Sequence, residues 1–319
     1  MPERPLGVIL TGGRGTRLRP LTPTIPKALI PLLNRPLLAY SLDLYAAVGL
    51  SDVVVVVGGD HEGVERAAAE LAPAGITVEI AVQAEPIGLG DAVASAGAAL
   101  DGRQVAVLAV DAVLTGDIQP TFEAFERSGA DAGLTLHPTD RPTEMGIAVL
   151  EDDRIVHLEE KPQQPRSDLA AAGLWLLGPA TIERLRTDPF IRPTDGEIDL
   201  TGTIGAMVDG GADVRGWRLS GEWLDTGTIA SLLSTQARLL ELAKSPLLEV
   251  PGSALSEPLM IGAGTTIEDC ELGPNVVVGD GAVLRSARLR DAMVVAGARL
   301  EGVEHEGVVV TAGGQVGRR

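Results

Sequence analysis

Leu10-Thr11-Gly12-Gly13-Arg14-Gly15-Thr16-Arg17-Leu18 follows directly on an apolar run, and Pro20-Leu21-Thr22 and Pro26-Lys27 come soon after it. The run Gly7–Thr11 reads as a buried strand, so the glycines fall where the chain leaves its carboxyl end. Ligands of open α/β sheets sit beyond that end. Gly12, Gly13 and Gly15 carry no side chain, which lets backbone N–H groups approach an anion closely. Thr16 continues the loop, and Arg17 and Lys27 add two cations to it. Together they predict a cradle for the phosphates of a nucleoside triphosphate. The loop is not a P-loop, because the Gly-Lys-Ser/Thr ending is missing. It is not the dinucleotide fingerprint, which lacks a paired Arg and Lys. A plain turn would account for the glycines but not for the whole string of glycines, cations and prolines.

Working outward from this loop, short apolar runs alternate with helical patterns. Strands are predicted at Gly7–Thr11, Val53–Val57, Thr77–Val82, Gln104–Val110 and Ala132–Leu136. Five consecutive valines at Val53–Val57 suit a strand buried on both faces. Helices are predicted at Pro36–Val48, Glu62–Leu71, Leu89–Leu100 and Thr121–Ser128. This alternation predicts a parallel, three-layer α/β sheet with right-handed crossovers. From Met145 to Leu219 the pattern loosens. Strands at Gly146–Leu150, Ile155–Glu159, Ala172–Leu177 and Val214–Leu219 mix with helices near Pro179–Arg186 and Ile198–Asp209. This stretch reads as the second half of one Rossmann-like domain, mixed in strand direction but mostly parallel. Thr228–Ala243 is an amphipathic helix, Ser245-Pro246 ends it, and Pro251-Gly252 marks a linker. The expected domains are residues 1–244 and 245–319.

The tail repeats. Ile261, Ile267 and Leu272 recur 17 residues later as Val278, Leu284 and Leu289, with Val295 continuing the first column. Gly262 aligns with Gly279 and Ala296, and Gly264 with Gly281 and Ala298. Three apolar columns with small residues after them predict a short triangular β-helix, since a plain meander would not hold the period. Its third coil, around Glu304–Gly314, is expected to be irregular.

Composition narrows the functional classes. Lys and Arg total 26 against 44 Asp and Glu, a formal charge of −18. That excess argues against nucleic acid and anionic membrane as partners, though not against a local pocket for a phosphorylated ligand. Trp 3, Tyr 2 and Phe 3 leave few stacking platforms for single strands. The one cysteine, Cys270, excludes an internal disulfide and fits a cytoplasmic protein. No signal peptide or membrane span is read. His61, His137, His157 and His305 show no ligand-like spacing.

The full string, with Gln83-x-Glu85-Pro86-x-Gly88-Leu89-Gly90, Glu160-Lys161-Pro162, Gly196-Glu197-Ile198 and Trp223-Leu224-Asp225-Thr226-Gly227, resembles the sugar-1-phosphate nucleotidyltransferases. It is most similar to glucose-1-phosphate thymidylyltransferases of the longer kind, which end in a left-handed β-helix. The resemblance implies a nucleotidyltransferase domain, an NTP (dTTP) and a sugar-1-phosphate (glucose-1-phosphate) as substrates, and Mg2+ as cofactor. It implies that Asp111 and Asp225 hold the metal, that Arg17 stabilises the leaving pyrophosphate, and that Lys27 grips phosphate. Lys161 would bind the sugar phosphate, and Gly146, Glu160 and Gly173 the sugar. The base would fall to Gln83 and the Pro86–Gly88 turn: an amide can pair with both a donor and an acceptor on a pyrimidine edge. The short tail, too small to stand alone, implies a homo-oligomer.

The chain departs from the family pattern in three places. Val110-Asp111-Ala112 lacks the usual Asn after the Asp. Met145 stands where an aromatic is usual, and Pro193-Thr194-Asp195 replaces a cationic stretch. These changes concern the sugar side. The other readings are a UTP- or other-sugar-specific enzyme, a non-catalytic regulatory homologue, and a hexapeptide-repeat acyltransferase. The last normally needs more coils and a catalytic His.

Overall fold

In a computed structural model, the described residues are 4–13, 15–59, 62–244 and 249–319. Arg14, His61 and the Ser245-Pro246 break lie outside them. The chain forms two compact units that do not follow chain order. One is Met1–Gly13 with Leu38–Trp223, the other Arg14–Leu37 with Leu224–Arg319.

The first unit is built on a nine-stranded sheet. Its strands in chain order are β1 (Leu6–Leu10), β2 (Asp52–Val57), β3 (Thr77–Val82), β4 (Val105–Ala109), β5 (Ala132–Pro138), β6 (Gly146–Glu151), β7 (Arg154–Glu160), β8 (Leu169–Leu177) and β9 (Val214–Arg218). Across the sheet the order is β3-β2-β1-β4-β8-β5-β9-β7-β6, and β8 also pairs with β6. Strands β1 to β4 are parallel neighbours, as are β5 and β9. β8 runs against β4, β5 and β6, and β7 against β9 and β6. The sheet is therefore mixed, with β7 and β8 opposing the rest. β5 does not extend the parallel run next to β4, because β8 is inserted between them.

Burial explains the strands. The valines of β2 are all buried, whereas the edge strand β3 alternates towards solvent and leaves Val82 46% exposed. Leu6, Val8 and Leu10 of β1 pack with Val54, Val56, Val107, Leu134 and Trp175 in one apolar cluster. Helices α1 (Leu37–Ala47), α2 (Glu62–Leu71), α3 (Leu89–Ala94), α4 (Gln119–Ser128), α5 (Pro179–Thr187) and α6 (Leu200–Asp209) lie close to their expected bounds. The exception is the single helix expected over Leu89–Leu100. It is α3 followed by a separate 3-10 turn at Gly97–Leu100, where Gly97 takes φ 60°, a left-handed conformation that breaks an α-helix.

The second unit joins the loop 14–37, the helix α7 (Ile229–Ala243) and the tail. Thr228 caps α7 with a reciprocal Thr228–Ser231 box. In the tail, parallel ladders stack Leu259–Ile261 on Val276–Val278, Thr266–Glu268 on Val283–Arg285, and Glu271–Leu272 on Arg288–Leu289, each 17 residues on. The next step is 16 residues: Val278 pairs with Val294, Leu284 with Leu300 and Leu289 with His305. The expected column through Val295 is thus corrected to Val294, which is 1% exposed and packs in the tail core. The shorter step also makes Gly297, at φ 73°, the left-handed counterpart of Gly264 and Gly281, where Ala298 was expected. The third repeat pairs regularly through Glu304–Val310. Val316–Arg318 then turns back antiparallel onto Val308–Val310. Inside this unit Gln236 of α7 donates to the carbonyls of Asn275 and Ala292, and Asn34 to that of Val278 at 2.9 Å.

Candidate active site

The turn after β3 is where the first unit gathers its nucleotide candidates. Gln83 is 5% exposed. Its Nε2 donates to the Gly88 carbonyl at 3.1 Å and to Asp91 Oδ2 at 2.9 Å, so the turn closes on its own amide. Gly88 has φ 123°, and a Cβ there would run into the backbone of Ile198. Only glycine fits this close approach. Pro86 is exposed at the tip. Gly12 borders the turn: a Cβ on it would lie 3.2 Å from Gln83 Oε1. Gly12, Gln83 and Gly88 are therefore brought together within one unit.

The sugar candidates meet in the same unit. Glu160 ends β7 opposite Gly146, its partner in β6. A Cβ on Gly146 would come within 3.0 Å of Glu160 Oε2 and closer still to Thr201. Lys161 follows at φ 49°; its N–H donates to the Met145 carbonyl, and its Nζ lies 3.3 Å from Glu160 Oε1. Gly173, at φ 78°, faces Ala112: a Cβ on Gly173 would lie 2.5 Å from that of Ala112. The small side chain of Ala112 thus abuts a glycine. The Trp223 indole N–H is buried near Gly173 without a partner among the described residues. In the sequence Trp223 stands out only as part of a motif. An orphaned buried donor is the signal that could have raised it.

Arg192 and Asp199 were also missed. Asp199 is 5% exposed, caps α6 by accepting from the Gly202 N–H, and takes Arg192 Nε and Nη2 at 3.0 and 2.9 Å. Arg192 also reaches Asp195 at 2.8 Å. A cation is present beside Pro193-Thr194-Asp195 after all, one residue earlier, but acidic neighbours hold it.

Burial, with Asp199 nearby, raises the Glu160 pKa; Lys161 and Arg192 oppose the shift only in part. A carboxyl whose folded pKa lies above its unfolded value binds more protons when folded, so stability falls as pH rises from the ordinary Glu range through the raised value. Glu160→Gln should remove this component. Melting temperature followed across that window should fall less steeply in the variant than in the parent, and equal slopes would refute the reading.

In the second unit Gly15, at φ 53°, precedes the 3-10 turn Thr16–Leu18. Its carbonyl accepts from Thr22 Oγ1 at 2.9 Å, while Leu18 and Leu21 are fully buried and anchor the loop. Thr16 and Arg17 are exposed, as is Gly13 at the end of the first unit; Lys27 is half-buried. Asp225 is half-buried, and its Oδ1 accepts from the Gly227 N–H at 3.2 Å, leaving Oδ2 for other use. Asp111, in the first unit, lies half-buried just past β4. Among the described residues no group of three or more His, Cys, Asp and Glu side chains could hold a metal. His137 and His157 contact Pro138 and Glu159, and His305 stacks in the tail. No described helix is long and apolar enough to cross a membrane.

Residues 6–241 match the Nucleotidyl transferase family. A glucose-1-phosphate thymidylyltransferase of Streptomyces antibioticus is 34% identical over 93% of this chain and 88% of its own length. One of Streptomyces griseus is 32% identical with the same coverage. Among solved structures, a putative glucose-1-phosphate thymidylyltransferase from Bacillus anthracis superposes with a TM-score of 0.66 at 25% identity, covering 77% of this chain and 98% of that one. A UDP-glucose pyrophosphorylase complexed with UDP-glucose, at 19% identity and TM-score 0.67, covers 75% of this chain and 99% of its own and shares the fold.

Proposed function

Because the chain belongs to the Nucleotidyl transferase family and so is a nucleotidyltransferase, we propose that it transfers a thymidylyl group from dTTP to glucose-1-phosphate. An oxygen of the sugar phosphate attacks the α-phosphorus, the bond to the bridging oxygen breaks, and pyrophosphate leaves with that oxygen. No protein nucleophile is needed, so catalysis is positioning and charge neutralisation. Arg17 offsets charge on the leaving group, and Lys27 holds phosphate near the reacting centre. Gly12, Gly13, Gly15 and Thr16 cradle the triphosphate. Lys161 binds the sugar phosphate, and Glu160 accepts from sugar hydroxyls beside Gly146 and Gly173.

Asp111 and Asp225 offer hard oxygen donors of the kind Mg2+ prefers, and one oxygen of Asp225 remains after its bond to Gly227. They are the residues that would hold the ion; when bound it would neutralise phosphate charge. The tail is read as a left-handed β-helix that serves assembly of a homo-oligomer, and the protein as cytoplasmic.

The observation that supports the base assignment best is the closed turn joining Gln83, Gly88 and Asp91 beside Gly12. Pyrophosphate release, measured for four NTPs against several sugar-1-phosphates, tests the reading. dTTP should give the highest kcat/KM and UTP the second, because the bases share one hydrogen-bonding edge and a methyl group is worth only about 1–3 kcal/mol. A preference for ATP or GTP overturns it.

A further inference from the structure

The amide of Gln83 can point only one way. It has two N–H bonds, and both are engaged: one to the Gly88 carbonyl at 3.1 Å, the other to Asp91 Oδ2 at 2.9 Å. Turning the amide over would set Oε1 against a carbonyl and a carboxylate in a side chain that is 5% exposed. That would lose two hydrogen bonds, one of them charge-assisted, and create two acceptor–acceptor contacts. Oε1 is therefore the atom left for a ligand. It borders Gly12, where a Cβ would stand 3.2 Å from it. The Gly88 carbonyl opposes the flip as well, but it is neutral and keeps its bond from Ala92 N, so its opposition is the weaker of the two. The group that opposes the flip most strongly is the charged carboxylate of Asp91, whose Oδ2 accepts from Gln83 Nε2 at 2.9 Å.

We propose that Asp91 is the specificity-determining positioning residue of the base site: it locks Gln83 as an acceptor, so that among pyrimidines the site takes those with an N3–H and rejects those with a bare N3. Thymine and uracil present N3–H to Oε1. Cytosine presents a lone pair at N3, and an unlocked amide could turn its NH2 towards it, whereas a locked one cannot. The inference rests on the reading that this turn receives the base. It changes what Gln83 contributes: not an adaptable donor–acceptor pair, as the residue type alone suggests, but a single fixed acceptor.

The experiment compares kcat/KM for dTTP and dCTP at saturating glucose-1-phosphate, by pyrophosphate release, in the full-length parent and in Asp91→Ala, Asp91→Asn and Asp91→Glu. Asn is isosteric but can itself donate, so it permits the flipped amide; Glu keeps a carboxylate. The parent's preference for dTTP should fall tenfold or more in Ala and Asn. The change should come from a lower KM for dCTP and a higher KM for dTTP, and Glu should restore part of the preference. A structural defect would lower both nucleotides alike and leave the ratio unchanged; an unchanged ratio overturns the role of Asp91 while leaving the reaction intact. A parent that releases no pyrophosphate from dTTP overturns both this role and the proposed function. A parent that uses dTTP and dCTP equally overturns the lock alone.

Discussion

Arg17→Ala is expected to lower kcat about 100-fold or more, the magnitude seen when a preorganised group facing developing transition-state charge is removed. The side chain is exposed, so its loss opens no cavity. The loop around it is held independently by fully buried Leu18 and Leu21 and by the Thr22–Gly15 hydrogen bond. Stability should therefore hold while turnover collapses. Arg19→Ala, at an exposed neighbour of the same charge, is the control that separates a specific phosphate contact from the loss of one positive charge in the loop. Steady-state turnover and thermal melts of both variants decide the matter. Near-normal turnover in Arg17→Ala would sink the assignment.

Asp111→Asn and Asp225→Asn should each cost about 100-fold or more in turnover and raise the Mg2+ concentration needed for half activity, since each removes a charge from the expected ion site. Asn is the informative replacement at Asp225. Its amide oxygen can still accept from the Gly227 N–H, as Oδ1 does at 3.2 Å, so the turn survives and only the charge is lost. Glu151→Gln, at the exposed end of β6, should change nothing. Chelated parent enzyme that keeps full activity without added divalent ion would refute the metal assignment.

Most of the first unit was legible because its signals are local. The valines of Val53–Val57 announce a strand buried on both faces, and the Thr77–Val82 and Glu62–Leu71 bounds agree with those observed. What escaped depends on partners distant in sequence. Nothing in Leu169–Leu177 says that it will insert between β4 and β5. The tail period was readable from Ile261, Ile267 and Leu272, but the next repeat is one residue shorter and shifts the column to Val294, and Val295 is just as apolar as its neighbour. Only ladder pairing tells them apart.

The same division holds at the site. Gly12, Gln83, Gly88, Glu160 and Lys161 stood out through motif strings, and the residues that orient them did not. Asp91 reads as an ordinary acidic residue in the first turn of a helix, and Asp199 as an ordinary cap. Their further roles, on Gln83 and on Arg192, arise from hydrogen bonds across turns that no periodicity encodes.

The second unit is made of the chain's early and late portions: loop 14–37 packs with material beyond residue 224, and Asn34 bonds to the Val278 carbonyl. Such distant partners close slowly, because loop entropy must be overcome before any contact rewards it. On the ribosome the consequence is sharper. Loop 14–37 is made long before its partners and waits without them until α7 and the stacked tail strands have been translated. A truncated or stalled product would carry the strands of the first unit but not the surroundings that shape Arg17 and Lys27. Synthesis through the tail strands thereby becomes a checkpoint, and nascent fragments would lack the finished form of the proposed triphosphate cradle.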